Sequence, residues 1–455
     1  MRVPVMIVYK RIVDRRTSLL AILLCALVSP CFAQRTNLLA ARNAAKWLDS
    51  TAVRTKDGLV WPSDPRNAKS VNTTLYAGTP GPILFFLELY RHTGEQRYLN
   101  SAQSGADALL NSISSEEGSG LYEGVAGIGF TLGEAYLITH DAKYREGTLR
   151  CVELLRERAK NVGSGIEWND TTDVIAGASG TGLFLLWADE RLHAAGAREL
   201  AIKAGARLIE LAHQEGPDSQ TPRRLKWMMD SKFPREMPNF SHGTAGVAYF
   251  LATLYQRTHE QRFLDAAVAG ANYLLSIADK EGDYCLIYHD NENKHLYYLS
   301  WCHGPAGTAR LFYRLYQATN DSKWLAWTKR SAEALITSGA PERVVTPGEW
   351  NNISVCCGVT GQAQFFVDMY LLTHERQYFN FARKASALLV AKSKQDEQGA
   401  RWVQAETRIK ADVLLAQTGY MQGASGVGMW LLHLHGYLKH ARRPVITFPD
   451  NPFVY

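Results

Sequence analysis

Residues 300–307 read SWCHGPAG, and the last five of them, HGPAG, decide the fold because the chain repeats their pattern. Two glycines separated by two residues recur at Gly78/Gly81 (AGTPG), Gly124/Gly127 (EGVAG), Gly177/Gly180 (AGASG) and Gly243/Gly246 (HGTAG). Gly304/Gly307, Gly358/Gly361 (CGVTG) and Gly423/Gly426 (QGASG) complete the series, with successive first glycines 46 to 66 residues apart. One Gly-x-x-Gly carries no information. Seven at comparable spacing, each opening an apolar stretch such as 247–255 or 308–316, mark an internal repeat. These stretches are apolar on nearly every face, as in a helix buried all round. The glycines permit a tight turn into that helix and a close backbone approach.

A polar turn with an aromatic anchor follows several of these helices: HTGEQRYL at 92–99, THDAKY at 139–144, THEQRFL at 258–264, TNDSKWL at 319–325 and THERQYF at 373–379. The next helix is one-sided. Tyr98, Leu99, Ala102, Ala106, Leu109 and Leu110 share a face, as do Phe263, Leu264, Ala267, Ala271, Leu274 and Leu275. A unit is therefore a buried inner helix, a polar turn and an amphipathic outer helix. Such hairpins bury their inner helices against one another in a ring, and no terminal unit has the polar cap of an open solenoid. The sequence predicts an all-α fold, an α/α toroid (a double ring of helices) built from seven helix-hairpin repeats. Connections back to the next inner helix carry Trp61, Trp168, Trp227, Trp350 and Trp402 among polar residues. These loops gather on the face where the inner helices begin, which is where a site is expected.

Lys10, Arg11, Arg15 and Arg16, the apolar run 19–28 and a Pro-Cys-Phe-Ala stretch ending at Ala33 have the pattern of a signal peptide. Arg15-Arg16 before Thr-Ser-Leu-Leu faintly resembles a twin-arginine signal. The expectation is a signal peptide over 1–33, cleaved near Ala33, and a single toroid domain over 34–455 of an exported, periplasmic or secreted protein. No later apolar run is long enough to span a membrane, so the mature chain is expected to have no span. The net charge of +6 falls to 6 − 4 = +2 once Arg2, Lys10, Arg11, Asp14, Arg15 and Arg16 are removed, and nothing points to nucleic acid. Oligomeric state leaves no sign in the sequence. Of seven cysteines, Cys25 and Cys31 fall in the signal, and the odd five that remain argue against a pure disulfide framework.

The position before the first glycine holds a potential ligand in several units, among them His242, His303 (after Cys302) and Cys357 (after Cys356). Equivalent positions converge on the axis of a ring. Units five and six can thus bring Cys302, Cys356 and Cys357 together as thiolate ligands of Zn²⁺ with a fourth position open, and thiolate-rich sites select zinc over hard cations. The alternatives are buried cysteines acting as small hydrophobes and an oxidised Cys356-Cys357 pair. Taken alone, His242 reads as a helix-capping histidine and Asp173, four residues before Gly177, as a helix-start residue. Cys151 and Cys285 read as core.

Seven Gly-x-x-Gly units, with SWCHGPAG in the fifth and a cysteine before the sixth, resemble the lanthionine synthetase C-like family from about residue 40 to the C-terminus. The resemblance implies an α/α toroid whose central zinc activates a thiol. The family's cyclases add a peptide cysteine to dehydroalanine or dehydrobutyrine, and its eukaryotic relatives resemble enzymes adding glutathione to such residues. By that resemblance the first zinc cysteine is Cys302 and the second Cys356, while Cys357 stands where the family has a histidine ligand; His303 is a possible alternate ligand. The aspartate of the family's DVIxGxSG motif falls on Asp173 and the histidine of its SHGxAG motif on His242. The cyclases' arginine four residues before the first zinc cysteine is Tyr298 here.

The function expected is zinc-dependent addition of a thiol, from a peptide or a small molecule, to an electrophilic alkene of the dehydroamino acid type, forming a thioether. Cys302, Cys356 and Cys357 bind the metal, His242 moves the proton and Asp173 orients it. Two other readings stand beside it. A carbohydrate-active toroid would use the loop tryptophans as sugar platforms with Glu167, Asp170 and Glu349 as carboxylates. A non-catalytic binding protein would use zinc only to staple the ring.

Overall fold

The computed structural model describes residues 36–453 except 218, 220, 221, 231, 233–235, 281, 343–348 and 441–445. The expected signal segment, with Cys25 and Cys31, lies outside the described residues. Among the described residues fourteen α-helices form two concentric layers. The inner ones are α2 (Pro80–Thr93), α4 (Val125–Thr139), α6 (Ala178–Leu192), α8 (Thr244–Thr258), α10 (Pro305–Thr319), α12 (Val359–Thr373) and α14 (Ala424–His440). The outer ones are α1 (36–51), α3 (Gln96–Ser112), α5 (Ala142–Arg158), α7 (Ala197–Glu210), α9 (Gln261–Ile277), α11 (Ser322–Thr337) and α13 (Arg376–Lys392). Each inner helix packs on the next and α14 returns to α2, so the ring closes. Strands among the described residues form only two-stranded ribbons in the loops.

Local chemistry explains both ends of the inner helices. Five of them stop at a residue in the left-handed region, His140, His193, His259, Asn320 or His374, whose amide bonds back into the last turn; Gly94 ends α2 in the same way. His140, His259 and His374 of the polar turns are helix caps, whereas His92 lies in the last turn of α2. At the other end the second glycine of each motif lies against backbone. A Cβ on Gly307 would collide with the carbonyl of Trp301, and one on Gly426 with that of Tyr420. Neither obstacle is a side chain that can rotate away. Gly307→Ala is therefore expected to destabilise the protein by about 3 kcal/mol or more, at the severe end of overpacking. Thermal unfolding measures it, and a wild-type melting temperature would contradict it.

A belt of backbone hydrogen bonds joins the residues two places before each first glycine, with Val174 as the donor beside Ile175 in the third unit. Tyr76 N donates to Tyr122 O (3.0 Å), Tyr122 N to Ile175 O (3.0 Å) and Val174 N to Ser241 O (3.2 Å). Ser241 N then donates to Cys302 O (2.8 Å), Cys302 N to Cys356 O (3.0 Å), Cys356 N to Met421 O (3.0 Å) and Met421 N to Tyr76 O (2.9 Å). The belt runs through all seven units and ends where it began. Its donors all point the same way round, an arrangement in which neighbouring bonds polarise one another.

The seventh unit departs from the expected hairpin. Its inner helix is α14, but its outer helix is α1, from the opposite end of the chain. Asn37 accepts from Ser386 Oγ of α13 at 2.7 Å, seating α1 beside the sixth outer helix. Trp61 bonds to Leu48 O of α1 at 2.9 Å just as Trp168 does to Leu155 O of α5 and Trp402 to Leu389 O of α13 (both 2.7 Å). Trp227 does the same to Leu208 O of α7 at 2.6 Å. Each indole satisfies a carbonyl left without an intrahelical partner in the last turn of an outer helix.

These tryptophans are buried, Trp350 included, and so unavailable for stacking on a sugar. Glu167 is engaged by Arg207 at 3.0 Å and Asp170 faces Lys232 at 3.5 Å. Glu349 pairs through its backbone with Tyr297; its side chain lies outside the description. The sugar-platform expectation fails because all five rings are buried, four of them pinning outer helices.

Candidate metal centre

Two rows of side chains crown the inner ring. The belt row is Tyr76, Tyr122, Ile175, Ser241, Cys302, Cys356 and Met421; the row after it is Ala77, Glu123, Ala176, His242, His303, Cys357 and Gln422. Because the belt ties Cys302 directly to Cys356, the thiols of units five and six are adjacent. Cys302 Sγ lies 3.3 Å from Cys357 Sγ, and Cys357 Sγ lies 3.5 Å from Cys356 Sγ. All three sulfurs fall within 4.8 Å of one another, and all are buried. These separations exceed a disulfide bond by well over 1 Å, and the described cysteines are free. Four sulfurs at about 2.3 Å from a tetrahedral zinc stand about 3.8 Å apart. The donor set fits zinc in chemistry and spacing.

Burial and mutual contact make the cluster electrostatically uneven. Hydrogen bonds from Cys302 and Cys357, then from Tyr76, hold the Cys356 thiol well below its usual range, with the charge of His242 helping. Burial drives Cys302 well above it. For Cys357 the hydrogen bond with Cys302, which lowers it, is outweighed by contact with Cys356 and by burial. One thiolate thus forms readily and the other two resist. Three buried sulfurs this close together, one of them readily ionised, could hold a soft cation. The Tyr76 hydroxyl donates to Cys356 Sγ at 3.3 Å and accepts from Gln422 Nε2 at 3.0 Å; Gln422 Nε2 also lies 3.9 Å from Cys357 Sγ.

Asp173 and His242 meet across units three and four. Asp173 is 1% exposed, and its Oδ1 accepts from the amides of Ala176 and Gly177, both at 2.8 Å. This is the helix-start role read from the sequence. Its Oδ2 lies 2.6 Å from His242 Nδ1. A carboxylate accepts, so Nδ1 carries the hydrogen and Nε2 is the nitrogen left for chemistry. Burial disfavours the imidazolium, yet Asp173 more than compensates and the His242 pKa is raised.

His303 stands outside the three-thiol group. Its Nε2 is 3.3 Å from Ser241 Oγ, its Nδ1 is buried without a partner, and its ring lies 4.2 Å from that of His289. Burial, then His289 and His242, hold it well below the usual histidine range and hence neutral. Tyr298 contacts both His289 and His303; burial raises the pKa of its hydroxyl, and the charge of Arg408 opposes the rise. A positive charge from the loop before α14 thus stands near Tyr298. Cys151 and Cys285 are buried away from the group, their thiols raised by desolvation, Cys285 to about 12.

Tyr76, Gln422 and Arg408 were not singled out in the sequence. Aligning the seven units would have placed Tyr76 and Gln422 in the same two rows as the cysteines. Arg408 follows no motif and reaches Tyr298 only through the fold.

A closed α/α toroid of seven inner helices with a buried three-thiol centre at their N-terminal ends defines the class. The description "Lanthionine synthetase C-like protein" matches residues 69–440, and the chain belongs to that family. A Danio rerio protein, glutathione S-transferase LANCL1, is 19% identical over 321 residues, 69% of this chain and 73% of its own length. The solved structure of nisin cyclase aligns with a TM-score of 0.59 at 17% identity, covering 90% of this chain and 94% of its own, a likeness of fold.

Proposed function

We propose that this protein catalyses zinc-dependent addition of a thiol to the electrophilic alkene of a dehydroamino acid, forming a thioether. The observation that carries the reading is the convergence of Cys302, Cys356 and Cys357 at the mouth of the ring that also holds the Asp173–His242 pair. The family and the nisin cyclase fold support it and favour a peptide as alkene donor; the thiol comes from the same peptide or from a small molecule.

Cys302, Cys356 and Cys357 would hold the metal, and zinc bound there supplies the Lewis acidity that deprotonates a substrate thiol near neutral pH. Three thiolates make this donor set more anionic than one containing a neutral histidine, so the substrate thiol is acidified less and is the richer nucleophile once ionised. Carbon–sulfur bond formation at the β-carbon sends the alkene's π pair to the α-carbon as an enolate. His242 delivers a proton to that carbon, and the proton lost by the thiol restores the balance. Asp173, fixed by two amides, holds the imidazole with Nε2 outward. With 30% of its side chain exposed, His242 can exchange protons with solvent. Residues 1–33 would direct export of the 34–455 domain; no helix of the described residues is long and apolar enough to cross a membrane.

The test is the metal content and coordination of the mature protein purified without chelator, with turnover of a dehydroalanine peptide and a thiol. About one zinc per chain with an open fourth position is expected. A metal-free protein sinks the proposal, and a zinc closed by four protein atoms favours the stapled ring instead.

A further inference from the structure

Residues 446–453 lie within the ring, entering from the mouth opposite the cysteines. Ile446 N donates to Glu88 Oε2 of α2 at 3.0 Å, and the Phe448 ring lies 4.4 Å from Tyr420 and 5.2 Å from Phe130. The segment then leaves: Gln317 Nε2 donates to Pro452 O at 3.0 Å, and Phe453 stacks on Tyr313 at 4.7 Å. At its deepest point stands Asp450, 1% exposed. Its Oδ2 accepts from Trp301 Nε1 at 2.8 Å and from Arg310 Nη1 at 3.3 Å, and its carbonyl accepts from the same Nη1 at 2.8 Å.

A plug needs none of this polarity. Phe448 and Phe453 already pack on rings of the inner helices and their loops, whereas a buried Asp–Arg pair carries a desolvation penalty that packed apolar residues avoid. Asp450 Oδ1 makes no hydrogen bond of ordinary geometry, a further cost, although the Tyr122 hydroxyl stands near enough to feel the carboxylate. What the carboxylate adds is direction. It grips the indole of Trp301, the residue next to Cys302, and the guanidinium of α10, the helix that Cys302 and His303 precede. Tyr122 and Phe240 flank the same indole edge-on at 5.1 and 5.7 Å.

We propose that Asp450 is a positioning residue of the cysteine centre: through Trp301 and Arg310 the C-terminal tail fixes Cys302 from beneath. The inference rests on Cys302 being a metal ligand. Asp450→Ala, Asp450→Asn and Phe453→Ala are compared for thermal stability, zinc affinity by chelator competition, and the rate at which iodoacetamide alkylates Cys302 in the metal-free protein, mapped by mass spectrometry. Asp450→Ala should weaken zinc binding about 10- to 100-fold, the range for loss of a group that orients a ligand, and speed Cys302 alkylation by a similar factor. Asp450→Asn, which keeps an acceptor for the indole, should recover much of both. Phe453→Ala should lower stability and leave both readouts near wild type. Equal effects of Asp450→Ala and Phe453→Ala at matched stability would reduce the tail to a plug and overturn the proposal. If the wild type binds no zinc, the proposed function fails, while the alkylation comparison still decides the role of Asp450.

Discussion

Cys302→Ala is expected to lose zinc from about one per chain to a trace, and thiol-addition activity by roughly 10³-fold or more, because a three-ligand site reduced to two holds zinc poorly and the nucleophile then ionises only in bulk solution. Metal analysis and single-turnover assays read the two effects. The fold should survive, since Cys302 joins the belt through its amide and carbonyl, which alanine retains. Zinc at wild-type levels in Cys302→Ala would remove the cysteine from the centre. Cys357→His makes the complementary test. Exchanging a thiolate for a neutral imidazole adds one positive charge to the occupied site, so zinc stays and the bound thiol becomes more acidic. The limb of the pH–rate profile set by thiol ionisation should move to lower pH.

The fold was legible because one backbone constraint repeats. Each Gly-x-x-Gly marks a place where a Cβ would strike a carbonyl, so the residue type could not drift, and the helices that follow had to be buried all round. The cysteines were legible because they break that repeat at equivalent places. α1 was not recognised as the outer helix of the seventh unit, since it precedes the first motif and meets its unit only when the ring closes. The tail after α14 escaped for the same reason: Asp450 contacts Trp301 and Arg310, 149 and 140 residues away in the chain. The tryptophans were legible as a recurring feature, but sugar platform and crown packing could not be told apart. Their spacing was plain, but whether an indole faces solvent or bonds to a carbonyl 13 residues earlier depends on how the outer helix ends.

Asp173→Asn is expected to leave the zinc in place and reduce kcat by roughly 10²- to 10⁴-fold, the span between losing a positioned proton donor and holding the imidazole in the wrong tautomer. Asparagine can still offer an oxygen to the amides of Ala176 and Gly177, so the turn before α6 persists. Its amide nitrogen then faces His242 Nδ1 as a donor. The ring must give up the Nδ1 hydrogen to accept from it, or turn away, and Nε2 no longer stands ready with the correct proton. The pH dependence has a definite sign. As the donor, His242 must be protonated, and Asp173 raises its pKa against the opposing effect of burial. Protonated His242 therefore persists to higher pH in the wild type, and the rate falls as pH rises through that pKa. With Asp173 neutralised, burial acts with less opposition and this limb moves to lower pH. Steady-state kinetics across the pH range, with metal content measured on the same samples, separate the two effects. An unmoved limb and an unreduced kcat at full zinc occupancy would take His242 out of the proton transfer and leave the cysteine centre to act alone.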